Sequence, residues 1–361
     1  MREYKHLTPE EREFFLTHGW LKVEGAIKQQ YIDEWMKDFW VRLGYDEHDK
    51  STWEEEYTKL PRHREVRCEE FCPKAWDKML EIVGGEEVVD PVRERYYGDQ
   101  FIINFGSEER TKQKPIHPRE YRGWHTDNDW YRHFLDSSGN ALTIIHCFTD
   151  IPERGGGTCV AEDGIKRLCE KLYEHPEGLD PPFPSGLLYS HVAKECEKFS
   201  HVVAKAGDVI ITHGLLPHSH SPNYLHYARV ITNPHLNMAV PFNLNREDGD
   251  YTLAEQVILR ALDRTSIPEY KPTRERLATY PRTAYFKREK VKEELVRMIK
   301  DAESKGKSAK DVDSVYLRGE EAILEHERRN GYDKPWGPHG VQRHMKDNEE
   351  WVPTSTRHVL V

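Results

Sequence analysis

The stretch Gly207–Arg229 reads GDVIITHGLLPHSHSPNYLHYAR, and its reading decides the fold. A Gly-Asp turn leads into the β-branched run Val209–Thr212, a histidine cluster follows, and a second run starts at Tyr227. Branched and aromatic side chains suit a pleated surface and Gly, Pro and Asn suit its turns, so the stretch predicts two short strands with a histidine-rich connection. Runs of the same kind recur at 100–105 (QFIINF), 141–151 (ALTIIHCFTDI), 157–161 (GTCVA) and 198–205 (KFSHVVAK). Many short strands in series predict a mainly β core, a sandwich or a barrel.

The flanks read as helical. Thr8 is a good N-cap, with Pro9 at N1, Glu11 completing a capping box and Gly19 as the stop. Tyr31, Ile32, Trp35, Met36, Phe39, Trp40 and Leu43 recur at the spacing of one buried helical face, predicting a helix over 29–43. Beyond Asp248 the period returns at Leu253, Val257, Ile258, Ala261 and Leu262, and again at Val291, Leu295, Met298 and Ile299. KDAESKGKSAKD (300–311) has no apolar face and reads as a solvated linker or helix end. The expected organisation is one catalytic domain: an N-terminal helical flank (1–98), a β core (99–248) and a C-terminal helical extension (249–361). The tail from Tyr332, with Trp336 and Trp351, is expected to dock on the core or on a neighbouring subunit; the helical extensions are compatible with a homodimer, while the sequence does not specify the oligomeric state.

Net charge is -10 and pI about 6.1. Nucleic-acid binding needs a concentrated basic surface, so small molecules are the expected partners. The opening MREYKHLTPEEREFF has charges throughout, and no run of about 18 apolar residues appears. Secretion and membrane spanning are not expected, and the cytoplasm is the expected compartment. The six cysteines form no C-x-x-C pair and read as reduced thiols.

The chemistry begins at Trp124–Trp130, WHTDNDW. On a strand, residues i and i+2 share a face, so His125 and Asp127 aim an imidazole and a carboxylate at one point. A third donor, His218, would complete two histidines and one carboxylate, the set that leaves open positions on a non-haem Fe(II). Arg229 stands on the next predicted strand. Its guanidinium fork matches a carboxylate, which suits an acidic cosubstrate such as 2-oxoglutarate.

With these residues the chain resembles the phytanoyl-CoA dioxygenase-like family of Fe(II)- and 2-oxoglutarate-dependent oxygenases. The resemblance runs over roughly Leu7 to His235, through LTPEEREFFLTHGWLKVEGAI, WHTD, the glycine turn ERGGGT and GDVIITHGLLPHSHSPN with Arg229. It implies a double-stranded β-helix (jelly-roll, cupin-like) with flanking N- and C-terminal helices. It implies iron on His125, Asp127 and His218, 2-oxoglutarate on Arg229, and O2 as the oxidant. His213 fills the first histidine place of the family frame, and His220 is a rival to His218 that stands nearer Arg229. Asn104, His146 and Thr158 are implied as further contacts of the cosubstrate. The chain departs from the family at AEDGI (161–165), where relatives carry a P-G-S-H-like stretch on the substrate side.

Substrate selection is expected from DWYRHF (129–134), where Trp130, Tyr131 and Phe134 offer apolar walls and Arg132 and His133 polar handles. The expected reaction is oxidation, foremost hydroxylation, of an unactivated C–H bond of a small metabolite with release of succinate and CO2. The alternatives are a cupin-like metal-binding protein or isomerase that does not use 2-oxoglutarate, and a protein side-chain hydroxylase.

Overall fold

Strands covered on both faces need apolar residues at consecutive positions, and the central strands here have them. In the computed structural model, which describes residues 2–128, 130–180, 191–278, 288–330 and 341–342, every residue of LTIIHC (Leu142–Cys147) and VIITH (Val209–His213) is buried. Twelve strands matter for the site. They are β1 (Trp20–Val23), β2 (Tyr57–Lys59), β3 (Glu65–Arg67), β4 (Tyr96–Gly98), β5 (Ile102–Asn104), β6 (Leu142–Cys147), β7 (Thr158–Ala161), β8 (Phe199–His201), β9 (Val209–His213), β10 (His218–His220), β11 (Arg229–Thr232) and β12 (His235–Leu236).

Among the described residues the large antiparallel sheet runs β1-β9-β6-β11-β5-β2, with β12 added on β6. A second sheet runs β10-β7-β8, and β3 pairs with β4. Side chains alternate along each strand, which gives the large sheet two faces. One face carries Ile102, Ile145, Cys147, Ile210 and Ile231, packed with Ile151, Val202 and Ala204. The other carries Ile103, Leu142, Ile144, Val209, Ile211 and Val230, packed under helical residues such as Phe15, Trp35, Phe39, Phe71 and Met79. The result is an antiparallel β core with helices on its outer face.

The helix Pro9–His18 starts and ends as its sequence predicts. Thr8 and Glu11 form the capping box, and Gly19 closes the helix at φ 74°. Losing such a cap costs about 1 kcal/mol. Two predicted features differ. The helix expected over 29–43 is broken into Gln29–Met36 and Phe39–Leu43, because Asp38 leaves helical geometry at φ -114°, ψ 15°. The N-terminal flank is also more than helical: β1 and β2 form the two edges of the large sheet, so chain from before residue 99 completes the core. The C-terminal helices Leu253–Ala261 and Arg288–Ser304 form where the periodicity places them. The second docks through Glu294, whose carboxylate meets Arg42 Nε at 2.8 Å and His63 Nε2 at 3.2 Å, all fully buried. Trp336 and Trp351 lie outside the described residues. No helix among the described residues is long and apolar enough to cross a membrane.

Candidate metal centre

His125 and His218 are joined through their backbones. His125 N–H donates to His218 O at 2.9 Å and His218 N–H to His125 O at 2.8 Å, so the two residues form a bridge at the edge of β10. Their rings stand 4.4 Å apart between centroids. Each ring turns Nδ1 to a nearby carbonyl, His125 to Gly123 O at 2.7 Å and His218 to Leu216 O at 3.0 Å. A proton on Nδ1 leaves Nε2 as the lone-pair nitrogen, and both Nε2 atoms point to Asp127. The separations are 3.6 Å from His125 to Asp127 Oδ1 and 3.5 Å from His218 to Asp127 Oδ2. One donor atom from each of the three residues lies within 4.8 Å of the others.

The donor set fits a divalent transition metal. Imidazole nitrogens and a carboxylate suit iron, and orienting bonds on the far ring nitrogens are what metal-bound histidines normally show. Asp127 is buried, which disfavours its charge, but His218 and His235 outweigh burial and hold the carboxyl well below its usual range. An ionised carboxylate is what a metal requires. The His125 side chain is 42% exposed, so the centre opens to solvent on that side.

Strand parity decides which other residues share the site. On β6, Thr143 faces inward and its hydroxyl donates to Asp127 Oδ2 at 3.3 Å. Asn140 Nδ2 donates to Thr143 Oγ1 at 3.0 Å and to the Asp127 carbonyl at 3.1 Å, fixing the turn beneath the carboxylate. His146 is three residues from Thr143 and therefore faces the other way. It lies between Tyr97 and Phe71, bonded to Thr232 Oγ1, with burial driving its pKa down to about 3. The parity places His146, implied by the resemblance as a cosubstrate contact, on the face opposite Arg229. His213 likewise faces outward, against Phe15 and Phe242, with Nε2 on Ala254 O.

On the inner face Tyr57, Asn104 and Arg229 stand opposite one another across β2, β5 and β11. Arg229 is 1% exposed. Its guanidinium donates to the Ile102 carbonyl at 3.4 Å and meets the Tyr57 hydroxyl, its Nε has no hydrogen-bond partner, and no Asp or Glu among the described residues pairs with it. Burial pulls its pKa down, with Tyr57 working against that. A buried guanidinium without an acid is costly, and an anionic ligand would relieve that cost. Asn104 is held by Ser221 O and Gly106 N. Thr158 stands opposite His220 across β7 and β10, on the same side of the small sheet.

His220 is two residues beyond His218, packed on Tyr57 at 4.9 Å, and is not among the three clustered donors. It lines a cavity of about 370 Å³ together with Tyr57, Asn104, Arg110, Tyr121 and Arg122. The segment expected to select substrate does not line this cavity. Asp129 is outside the described residues. Arg132 is tied to Asp180 at 2.6 Å and to Glu275 O at 2.8 Å, His133 pairs by its backbone with Leu179, and Phe134 is fully buried. None of the five residues from Trp130 to Phe134 lines this cavity. Trp130 does approach the centre, packed on His235 at 4.8 Å between ring centroids.

His235, Glu94, Thr143 and Tyr57 are the neighbours that the sequence reading missed. His235 Nε2 lies 3.2 Å from Asp127 Oδ2 and its Nδ1 lies 3.0 Å from Glu94 Oε2. Burial opposes charge on this ring, but Glu94 and Asp127 outweigh it and raise its pKa to about 9. The signal that could have found His235 is its odd-numbered register with Arg229, obscured by Pro234.

No family model and no curated protein matches the chain. Among solved structures it is similar to HygX from Streptomyces hygroscopicus with nickel and 2-oxoglutarate bound, at 15% identity over 64% of this chain and 88% of that one, TM-score 0.34. It is similar to the non-haem α-ketoglutarate-dependent epimerase SnoN from nogalamycin biosynthesis, at 14% identity over 64% and 83%, TM-score 0.34. It is also similar to GIG2 (DUF1479) from Candida albicans, at 12% identity over 64% of each chain, TM-score 0.42. At such identities and scores a likeness says nothing about activity, and the functional reading stands on the residues of the site.

Proposed function

We propose that this chain is a non-haem Fe(II)- and 2-oxoglutarate-dependent oxygenase of the double-stranded β-helix type, acting on a C–H bond of a small organic molecule. The observation that carries the reading is a combination: the clustered donors of His125, Asp127 and His218 beside the small sheet, and the buried, acid-free Arg229 on the large sheet. His125, Asp127 and His218 would hold the iron. With 2-oxoglutarate and O2, that metal supplies oxidation of an unactivated C–H bond, with succinate and CO2 as coproducts.

The chain's own residues do the rest. Arg229 would receive the distal carboxylate of 2-oxoglutarate, and a charge-assisted bond in a water-poor strand interior is strong and directional. Asn104, opposite it, keeps the β5 end and the glycine turn in place. Tyr57, in contact with Arg229, and His220 line the cavity, where substrate would sit. The pocket's work is to present one hydrogen and exclude competing reactions.

The test is anaerobic titration of the Fe(II)-loaded protein with 2-oxoglutarate, following the visible charge-transfer absorption, in wild type and Arg229→Ala. A band in the wild type that needs about 10–100-fold more cosubstrate in the variant is expected, given about 1.5–3 kcal/mol for a bond to a charged group. A folded, iron-loaded wild type with no band overturns the proposal.

A further inference from the structure

Asp127 sits between two sets of neighbours. On one side are His125 and His218. On the other is His235, which touches the carboxylate at Oδ2 yet is not one of the three donors clustered within 4.8 Å. His235 therefore approaches from outside the metal cluster. Its ring is buried, packed by Trp130, and its second nitrogen faces both oxygens of Glu94 at 3.1 and 3.0 Å. Asn237 Nδ2 donates to Glu94 Oε2 at 2.9 Å and fixes that carboxylate in turn. Glu94 itself is held at φ 54°, a left-handed conformation that residues other than glycine rarely adopt. Such a residue persists only where its surroundings require it, and here it aims the carboxylate at the His235 ring.

We propose that Glu94 and His235 are positioning residues for Asp127. This deepens the metal reading above and rests on it. His235 is hydrogen-bonded to Glu94 through Nδ1, and its Nε2 stands 3.2 Å from Asp127 Oδ2 as an ion-pair contact, on the same oxygen that Thr143 bonds. Contacted from two directions, the Asp127 carboxylate is biased toward His125 and His218. The ordering is then done by the fold, before any metal arrives, and metal binding does not have to supply it. Neither residue touches substrate or cosubstrate in this scheme.

The experiment is Co(II) titration of the metal-free protein, read by equilibrium dialysis and by the visible d–d absorption, in wild type, His235→Ala, His235→Gln and Glu94→Gln. Thermal melting of each metal-free variant runs alongside. His235→Ala is expected to weaken Co(II) binding about 10–100-fold and to alter the d–d band. Glu94→Gln is expected to weaken it less. His235→Gln, whose amide can still donate toward Oδ2, is expected to recover part of the loss. A merely structural role would lower the melting temperature and leave affinity and band unchanged. Affinities within about twofold of wild type in folded His235→Ala and Glu94→Gln overturn the assignment, as does tighter binding. If His235→Ala does not fold, Glu94→Gln decides the question, since Glu94 lies at the partly exposed end of the chain of contacts. A wild type that binds no Co(II) overturns the metal reading and this one together; a wild type that binds, with variants that bind equally, overturns this one alone.

Discussion

His125 and His218 exchange both of their backbone hydrogen bonds, at 2.9 and 2.8 Å, so the spacing of two candidate metal donors is set by main chain and not by their side chains. Truncating either imidazole leaves that bridge intact. His218→Ala should therefore melt near wild type yet bind Fe(II) or Co(II) more than about 100-fold more weakly, exceeding the effect of removing an orienting neighbour. His220→Ala and His213→Ala should retain metal affinity, because neither ring is among the clustered donors. Calorimetric titration of the three variants checks this, and a His220→Ala protein that loses the metal would show that the donors are misassigned.

The glycine turn packs against Asn104, the strand neighbour of Arg229. Gly156 has φ 75°, and a Cβ there would meet Asn104 Nδ2 at 2.6 Å and Asn223 Cβ at 2.7 Å. Gly156→Ala should cost about 2 kcal/mol or more in urea unfolding, through backbone strain and displacement of Asn104. Because Asn104 stands opposite Arg229, the same variant should raise the 2-oxoglutarate requirement. Gly25→Ala is the control: its φ is 55°, but nothing lies within 4 Å of the added carbon.

Glu294 ties the C-terminal helix Arg288–Ser304 to the interior. It shares a fully buried network with Arg42, His63 and Asp99, and Arg42 also donates to Asp99 Oδ2 at 2.9 Å. Removing one partner strands buried charge, so Glu294→Ala should lose about 3–5 kcal/mol. The exposed Lys292–Glu289 pair on the same helix should contribute less than about 1 kcal/mol. Denaturant midpoints of Glu294→Ala and Lys292→Ala separate the two cases, and equal midpoints would show that the network does not hold the helix.

Acid sensitivity should trace in part to Glu65. Burial opposes its charge, but the bond and charge of His326, followed by Arg62 and Asn330, hold its pKa down to about 2, against 4.5 for the ordinary group. A depressed carboxyl stabilises the fold above its unfolded pKa, and the contribution disappears as pH falls from about 4.5 toward about 2. By linkage that amounts to roughly 3 kcal/mol at neutral pH. The stability gap between wild type and Glu65→Gln should be full at pH 6 and narrow steadily below pH 4.5; a gap independent of pH over that range would refute the assignment.

Read alone, the sequence determined the local features whose cause lies within a few residues. The Thr8 capping box, the strands from residue 100 onward, the apolar helical faces and the i, i+2 placement of His125 and Asp127 all follow from propensity and period. Of the candidate metal donors, His125 and Asp127 were legible because a histidine and an acid on one strand face are a local pattern, and His218, with Arg229, through the spacing that resembles the family frame. Tertiary structure decided what depends on pairing between distant segments. It gave the large sheet its edges from Trp20–Val23 and Tyr57–Lys59, turned His146 to the helix-covered face, and used Arg132 as an anchor. It also brought Glu94 and His235 to the far side of Asp127. Period and propensity say which residues share a face, but only register between strands says which faces meet, and register is fixed by contacts that no short window of sequence contains.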